Sequence, residues 1–404
     1  MNNVLLVGNG FDLAHGLLTK YEHFLYLMKN WNEFYNAFEE KRKEGEKTEK
    51  RDNVQFAQDL FADLFKEPEK PIDKYLVDAF EMDEQRIEQL GNIIKNNSWV
   101  NYYCHCEAEI DGWIDFEKEI YPVIELFEFI FNYDYELQYD RDGSTCVTIP
   151  LKSFNAKNLK TAELWDKYID IGPQKVYLKS MYVTNNYGIL KKQILKNLRE
   201  EFDEFIKAFE IYLHEFVYKK DNVQELKQIK EINADYIISF NYTLTENLYG
   251  VNEENTHHIH GMLREDLTVG KNNMVVGVSE QQNQNMDFIY FVKYFQRIQK
   301  DSGVKYKEFV DRYFSDDIGN KRKEEYCLHI YGHSLDETDE DILRYVIGSV
   351  NEKERFVMKP KQVIIYYYDA ADYEQKVINL IKLYGRSIVE KYMENKRFKF
   401  ILSR

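Results

Sequence analysis

Cysteine is scarce. Four cysteines in a chain of 404 residues do not make a disulfide framework, which points to a reducing compartment. Positive charge is also in short supply: 54 Lys and Arg stand against 70 Asp and Glu, a formal net charge of −16. That balance excludes a protein that coats nucleic acid non-specifically, because such binding needs a basic face. It leaves room for a small anionic ligand, since backbone N–H groups can bind phosphate on an acidic protein. No apolar run approaches the roughly 20 residues that span a bilayer. Asp12 and His15 interrupt the opening run too early for a signal peptide. The expectation is a soluble, cytoplasmic protein. What the chain does have is apolar bulk: 44% of its residues, with 26 Phe and 32 Tyr, suffice for a sizeable core.

The two ends of the chain read alike and the middle reads differently. Asn3–Val7 is a short continuous apolar run, the pattern of a strand buried on both faces. Comparable runs recur at Asp235–Phe240, His257–His260, Met274–Val278, Tyr326–Gly332 and Gln362–Asp369. Several precede segments of helical period, such as "DEDILRYVIGSV" and "ADYEQKVINLIKLY". Alternation of this kind predicts a parallel α/β sheet. Residues 21–229 read as mostly helical, with "EKRKEGEKTEKRD" as a charged loop and Asp142-Gly143 as the turn of a β-hairpin near 135–150. The expected architecture is a core of residues 1–20 and 230–404 around that helical insertion.

Four stretches could carry chemistry. In "VLLVGNGFDLAHGL", Gly8-Asn9-Gly10 would let a ligand approach the backbone, and a helix starting near Asp12 would face a phosphate. The third glycine of the dinucleotide fingerprint is missing, for Leu13 occupies its place. The plain alternative is a tight turn with Asp12 as helix cap. Next, "SFNYTLTE" sets Asn241 just past a strand, where its amide can orient a water or a sugar hydroxyl, or else cap a helix. "HHIHG" offers imidazoles for acid–base work; within a strand, His258 and His260 would share a face. Cys104 and Cys106 lack the paired Cys-x-x-Cys of a zinc site, so no metal is expected. Last, "HIYGHSLDETDEDIL" runs from a strand into Gly332 and an acidic loop able to take ribose hydroxyls. Ordinary capping would equally explain Asp339 and Glu340.

The order of these pieces resembles the sirtuin-like NAD-binding fold. More closely, "GNGFDLAHGL", "WIDFE", "SFNYT", "HIHG" and "YGHSLDETD" together resemble the AbiH family of phage abortive-infection proteins. The resemblance spans both ends and touches the middle only at Trp113–Glu117. Gly16-Leu17-Leu18 stands where the sirtuin-like fold has Gly-Ile-Pro, and Leu18 replaces the proline common in the family. The resemblance implies a Rossmann-like parallel sheet, an antiphage role and NAD as ligand or substrate. It implies Gly8, Asn9, Gly10, Phe11 and Asp12 on the diphosphate and adjoining ribose, and Asn241 and His260 as catalytic residues. Gly332, His333, Ser334 and Asp336 would then hold the adenosine-side ribose, with His15 and Glu117 as further candidates. A sirtuin deacylase carries a four-cysteine zinc module that is absent here, so hydrolysis of NAD is the expected activity. Two alternatives stand beside it: a nucleotide sensor without catalysis, and a nuclease or transferase activity in the helical insertion. An NAD-destroying effector needs restraint, which fits a regulated homo-oligomer or a phage or host protein as trigger. No membrane partner is expected.

Overall fold

A computed structural model describes residues 2–45, 82–106, 116–134, 136–139, 145–184, 188–218, 223–264, 267, 272–279, 285–314, 325–350 and 356–403. The chain forms two units: Met1–Lys20, Phe216–Val275 and Arg297–Arg404 make one, and Tyr21–Glu215 with Val276–Gln296 the other. Among the described residues no helix is long and apolar enough to cross a membrane.

The first unit is built on a six-stranded sheet. Its strands are β1 (Asn2–Val7), β2 (Tyr236–Ser239), β3 (Thr256–His258), β4 (Tyr326–Tyr331), β5 (Gln362–Tyr367) and β6 (Phe398–Leu402). The order across the sheet is β6-β5-β4-β1-β2-β3, and every pairing is parallel. The chain winds outward from β1 through β2 and β3, then returns to the other side of β1 for β4, β5 and β6. The strand order therefore reverses between β1 and β4, the place at whose carboxyl edge open α/β sheets put their ligand crevice.

The continuous apolar runs follow from burial on both faces. Leu5 and Val7 join Phe11, Ile229 and Ile237 in one core. Val4 and Leu6 join Ile238, Leu328, Ile330 and helical residues such as Ile342, Leu343 and Leu380 in the other. Two strand expectations fail. β3 stops at His258, so His260 lies in the turn beyond it. Met274–Val278 forms no strand beyond one isolated bridge, Val278 to Val292. Instead, the buried side chain of Gln296 imitates a neighbouring strand, accepting from Val276 N–H at 3.1 Å and donating to Val276 C=O at 2.6 Å. β6 was not foreseen, since "FKFIL" interrupts its apolar residues with Lys399.

The second unit contains the long helix Lys191–Tyr212, whose Ile194, Leu198, Phe202, Phe205 and Phe209 are buried. Trp99, Tyr103 and Phe116 pack with it, their rings 4.6–6.0 Å apart from one another and from Phe202 and Phe205. An antiparallel sheet of four strands accompanies the helices. Glu136–Tyr139 pairs with Thr145–Pro150, but Asp142-Gly143 lies outside the described residues. Ile169–Ile171 and Lys175–Leu178 add two strands that the sequence reading lacked. Glu40–Gly45, read as loop, continues the helix Trp31–Gly45, and the rest of that charged stretch lies outside the described residues. So does Trp113. Glu117 is buried with its carboxylate 2.8 Å from the Lys293 ammonium, an ion pair that by itself accounts for a charge at that depth.

Candidate functional site

The loops after β1 and β4 cross in direct contact. Gly8 caps the short helix Asn9–Ala14 in extended conformation. Gly8 N–H donates to Tyr331 C=O at 3.1 Å and Gly10 N–H to Gly332 C=O at 2.8 Å. A Cβ on Gly8 would lie 2.8 Å from His333 Cα, and one on Gly10 would lie 2.7 Å from Gly332 Cα. One on Gly332, at φ +67°, would lie 2.1 Å from Phe11 N. The close approach of the two loops requires these glycines.

That crossing takes up two of the amides on which a phosphate cradle would draw. Gly10 N–H is engaged with Gly332, and Phe11 N–H donates to Gly8 C=O at 2.8 Å, so neither amide faces a phosphate. Phe11 is fully buried, its ring beside those of His15, Tyr249 and Tyr331. His15 is likewise structural. Tyr249 O–H accepts from Leu226 N–H at 2.8 Å and lies 2.7 Å from His15 Nε2, while His15 Nδ1 lies 2.7 Å from Phe11 C=O. A carbonyl can only accept, so Nδ1 carries the proton and Nε2 accepts from the tyrosine. Burial lowers the pKa of His15, in keeping with that neutral ring. Asn9 is exposed, and its Oδ1 accepts from Thr19 O–H at 2.5 Å.

Asp12 does not cap the helix. It is 1% exposed, and Thr243 O–H donates to its Oδ2 at 2.6 Å. Burial pushes its pKa up to about 7, against the hydrogen bonds of Thr243, Thr245 and Asn241, with the Glu246 charge adding to the rise. Glu246 is equally buried, 2.8 Å from His258 Nε2. His258 Nδ1 lies 3.0 Å from Asn241 C=O, so both ring nitrogens face acceptors, an arrangement that favours the imidazolium charge. Burial opposes that charge, but the Glu246 hydrogen bond and carboxylate, with Asn241 C=O and Asp12, outweigh it and raise the pKa. Asn241 ties β2 to β1 by donating from Nδ2 to Gly8 C=O at 3.1 Å. With Nδ2 so placed, Oδ1 is the acceptor left for a hydroxyl or a water.

His260 sits one turn further on, its Nε2 3.2 Å from Asp339 Oδ1. The other carboxylate oxygen, Oδ2, is 3.6 Å from His333 Nε2. His333 Nδ1 accepts from Leu335 N–H at 2.9 Å. His260, His333 and Asp339 are all buried, at 5%, 4% and 7% exposure, whereas Ser334 beside them is exposed. Asn379 Nδ2 holds Ser334 C=O at 2.9 Å. Asp336 caps the next turn, accepting from Thr338 N–H at 3.0 Å.

The fold thus gathers Asn241, His260, His333, Ser334 and Asp336 beyond β2, β3 and β4, together with Asp12 beneath them. It also supplies Glu246 and Asp339, which sequence reasoning passed over. Asp339 stands at the N-cap of the helix Glu340–Ile347, yet its side chain makes no capping bond. Only its burial and direction reveal another duty, and neither is visible in a one-dimensional pattern. No group of three or more His, Cys, Asp or Glu among the described residues could hold a metal ion.

Fold and site define an α/β protein with a polar, carboxylate–histidine centre at the carboxyl edge of a parallel sheet. The chain belongs to the AbiH family, described as "Bacteriophage abortive infection AbiH", which matches residues 4–359. An uncharacterized protein of Methanocaldococcus jannaschii is 33% identical over 94 residues, 21% of this chain and 8% of that relative. The chain therefore spans only a small part of the relative's length. No solved structure matches.

Proposed function

We propose that the chain acts in abortive infection by binding NAD at this carboxyl edge and hydrolysing its nicotinamide–ribose bond. The observation that carries the reading is the convergence of Asn241 with the His260–Asp339 pair, just where the strand order β6-β5-β4-β1-β2-β3 turns back. That order is the one found in doubly wound, Rossmann-like dinucleotide-binding sheets, whose ligands lie at the reversal. The engaged amides of Gly10 and Phe11 shift the expected diphosphate contacts to the exposed side chains of Asn9 and Ser334. Asp336 would accept from ribose hydroxyls.

The leaving pyridinium is already cationic, so positioning matters more than acid catalysis. Asn241 Oδ1 would accept a hydrogen bond from the attacking water or a ribose hydroxyl. His260 would take the proton released as water oxygen bonds to C1′. The electron pair of the broken C–N bond stays on nicotinamide, which leaves neutral, with ADP-ribose as the other product. His260 and Asn241 are each 5% exposed, so the loop after β4 must shift to admit substrate, and a trigger or partner subunit would act there.

Purified protein incubated with NAD is expected to release nicotinamide and ADP-ribose in equal amounts, followed by liquid chromatography. His260→Ala should slow release about 10²–10⁴-fold, the usual contribution of a positioned base, and Asn241→Ala should slow it as well. NAD binding without release in any protein would support the sensor reading instead. Failure to bind NAD or ADP-ribose by calorimetry would sink both.

A further inference from the structure

The helix Phe116–Asn132 of the second unit buries one face, with Val123, Ile124 and Phe127 inside. Its other face, with the start of the helix Ala156–Glu163, lines a groove of about 460 Å³. Tyr121, Glu125, Glu128, Phe129 and Asn132 recur along that groove at the three- and four-residue steps that share one helix face. The chain itself shows what this surface holds. Lys157 Nζ lies 2.6 Å from Glu125 Oε2 and 5.5 Å from the centre of the Tyr121 ring. One ammonium is thus shared between a carboxylate and a ring face.

Further along the groove the same chemistry recurs. Glu128 stands there with the rings of Phe129 and Tyr133, 5.3 Å apart, and pairs with no cation among the described residues. Two carboxylates against the single Lys157 ammonium leave the groove with one negative charge in excess. Asn158 is an independent sign. It lines the groove yet is only 7% exposed. Asn155 Oδ1 accepts from its backbone N–H at 2.7 Å, but its carboxamide has no hydrogen-bond partner among the described residues. An amide buried to that depth costs free energy until something pairs with it.

We infer that this groove is a docking site for a lysine-bearing segment of another polypeptide, its ammonium seated between Glu128 and the Asn158 carboxamide against Phe129 and Tyr133. An ammonium brings three donors and no acceptor, which suits a carboxylate and an amide oxygen. The length of the groove favours a chain over a free amine. Tyr121 and Asn132 stand about 16 Å apart at about 1.5 Å per helical residue, the reach of about five extended residues. The site lies wholly within the second unit and does not depend on the NAD reading. It offers a handle to a protein that restrains or triggers the chain.

The test titrates the full chain with the blocked pentapeptide acetyl-Ser-Gly-Lys-Gly-Ser-amide and with its ε-acetyl-lysine form, binding being read by saturation-transfer NMR of the peptide. The lysine form is expected to bind at least about tenfold more tightly, because acetylation removes the charge. Glu128→Gln and Asn158→Ala should each weaken it about 3- to 10-fold, as the loss of one hydrogen bond does. Glu394→Gln makes the same change of net charge on the helix Arg386–Glu394, at an exposed position, and should leave the Kd unchanged. Asn158→Ala alters no charge, so its effect separates a built seat from general attraction to an acidic protein. If Asn158→Ala fails to fold, the Glu128→Gln and Glu394→Gln pair decides alone. No binding of the lysine form, equal Kd values for the two peptides, or equal weakening by Glu128→Gln and Glu394→Gln would overturn the site.

Discussion

Gly332→Ala is expected to destabilise the first unit by about 2–5 kcal/mol, combining the left-handed backbone cost of about 1–2 kcal/mol with an overpacking cost of about 1–3 kcal/mol. The new methyl group would meet Phe11 N at 2.1 Å and Gly10 C at 2.4 Å. Those atoms are backbone, so no side chain can swing aside to make room. Gly250→Ala provides the control. Gly250 has nearly the same angle, φ +68°, but nothing lies within 4 Å of the place a Cβ would take. It should therefore show only the backbone cost of about 1–2 kcal/mol. Thermal midpoints of the two variants, measured side by side, isolate the crossing of the two loops. Equal midpoints would mean that the loops after β1 and β4 do not touch as described.

Asp12→Asn should stabilise the protein at pH 8 by about 4 kcal/mol, from roughly three pKa units at about 1.4 kcal/mol each. Burial lifts the folded pKa of Asp12 from 3.8 to about 7. Between those values the folded chain keeps a proton that the unfolded chain has released. The contribution of Asp12 is thus fully present below about pH 4 and lost as pH rises through about 7. Asparagine mimics the protonated carboxyl, since its Oδ1 still accepts from Thr243 O–H, and it cannot ionise. The gain should therefore vanish near pH 4, grow between 4 and 7, and level off above.

Wild-type stability alone would not reveal this. Burial pushes both His257 and His329 down to about 4. Their unfolded forms bind protons that the folded forms refuse, so they destabilise the fold as pH falls from about 6.5 toward 4. Those histidines are present in both proteins and cancel in the difference between variant and wild type. Urea midpoints from pH 4 to 8 give that difference. A flat profile would show that Asp12 ionises in the fold as readily as in water.

Much of the core was legible. Strands buried on both faces need apolar residues at every position, so Asn3–Val7 and the runs that became β4 and β5 announced a parallel sheet. The aromatic helices of the middle segment were equally plain, because one buried face imposes a helical period. The antiparallel strands Ile169–Ile171 and Lys175–Leu178 were too short to register. Met274–Val278 misled for a related reason: apolar composition records burial, and a glutamine side chain supplied the hydrogen bonds that a strand partner would have made.

The site divides along the same line. Sequence alone determined which polar residues follow which strands, and the quoted motifs carried membership of the AbiH family. It could not decide what the glycines of "GNGFDLAHGL" and "YGHSL" are for, since close approach to a ligand and to another loop demand the same missing Cβ. Nor could it distinguish Asp336, which caps a turn, from Asp339, which turns inward to two histidines. Asp12 looked like a cap and proved a buried acid. Side-chain direction and desolvation decided each of these cases, and both are set by contacts between segments hundreds of residues apart in the chain.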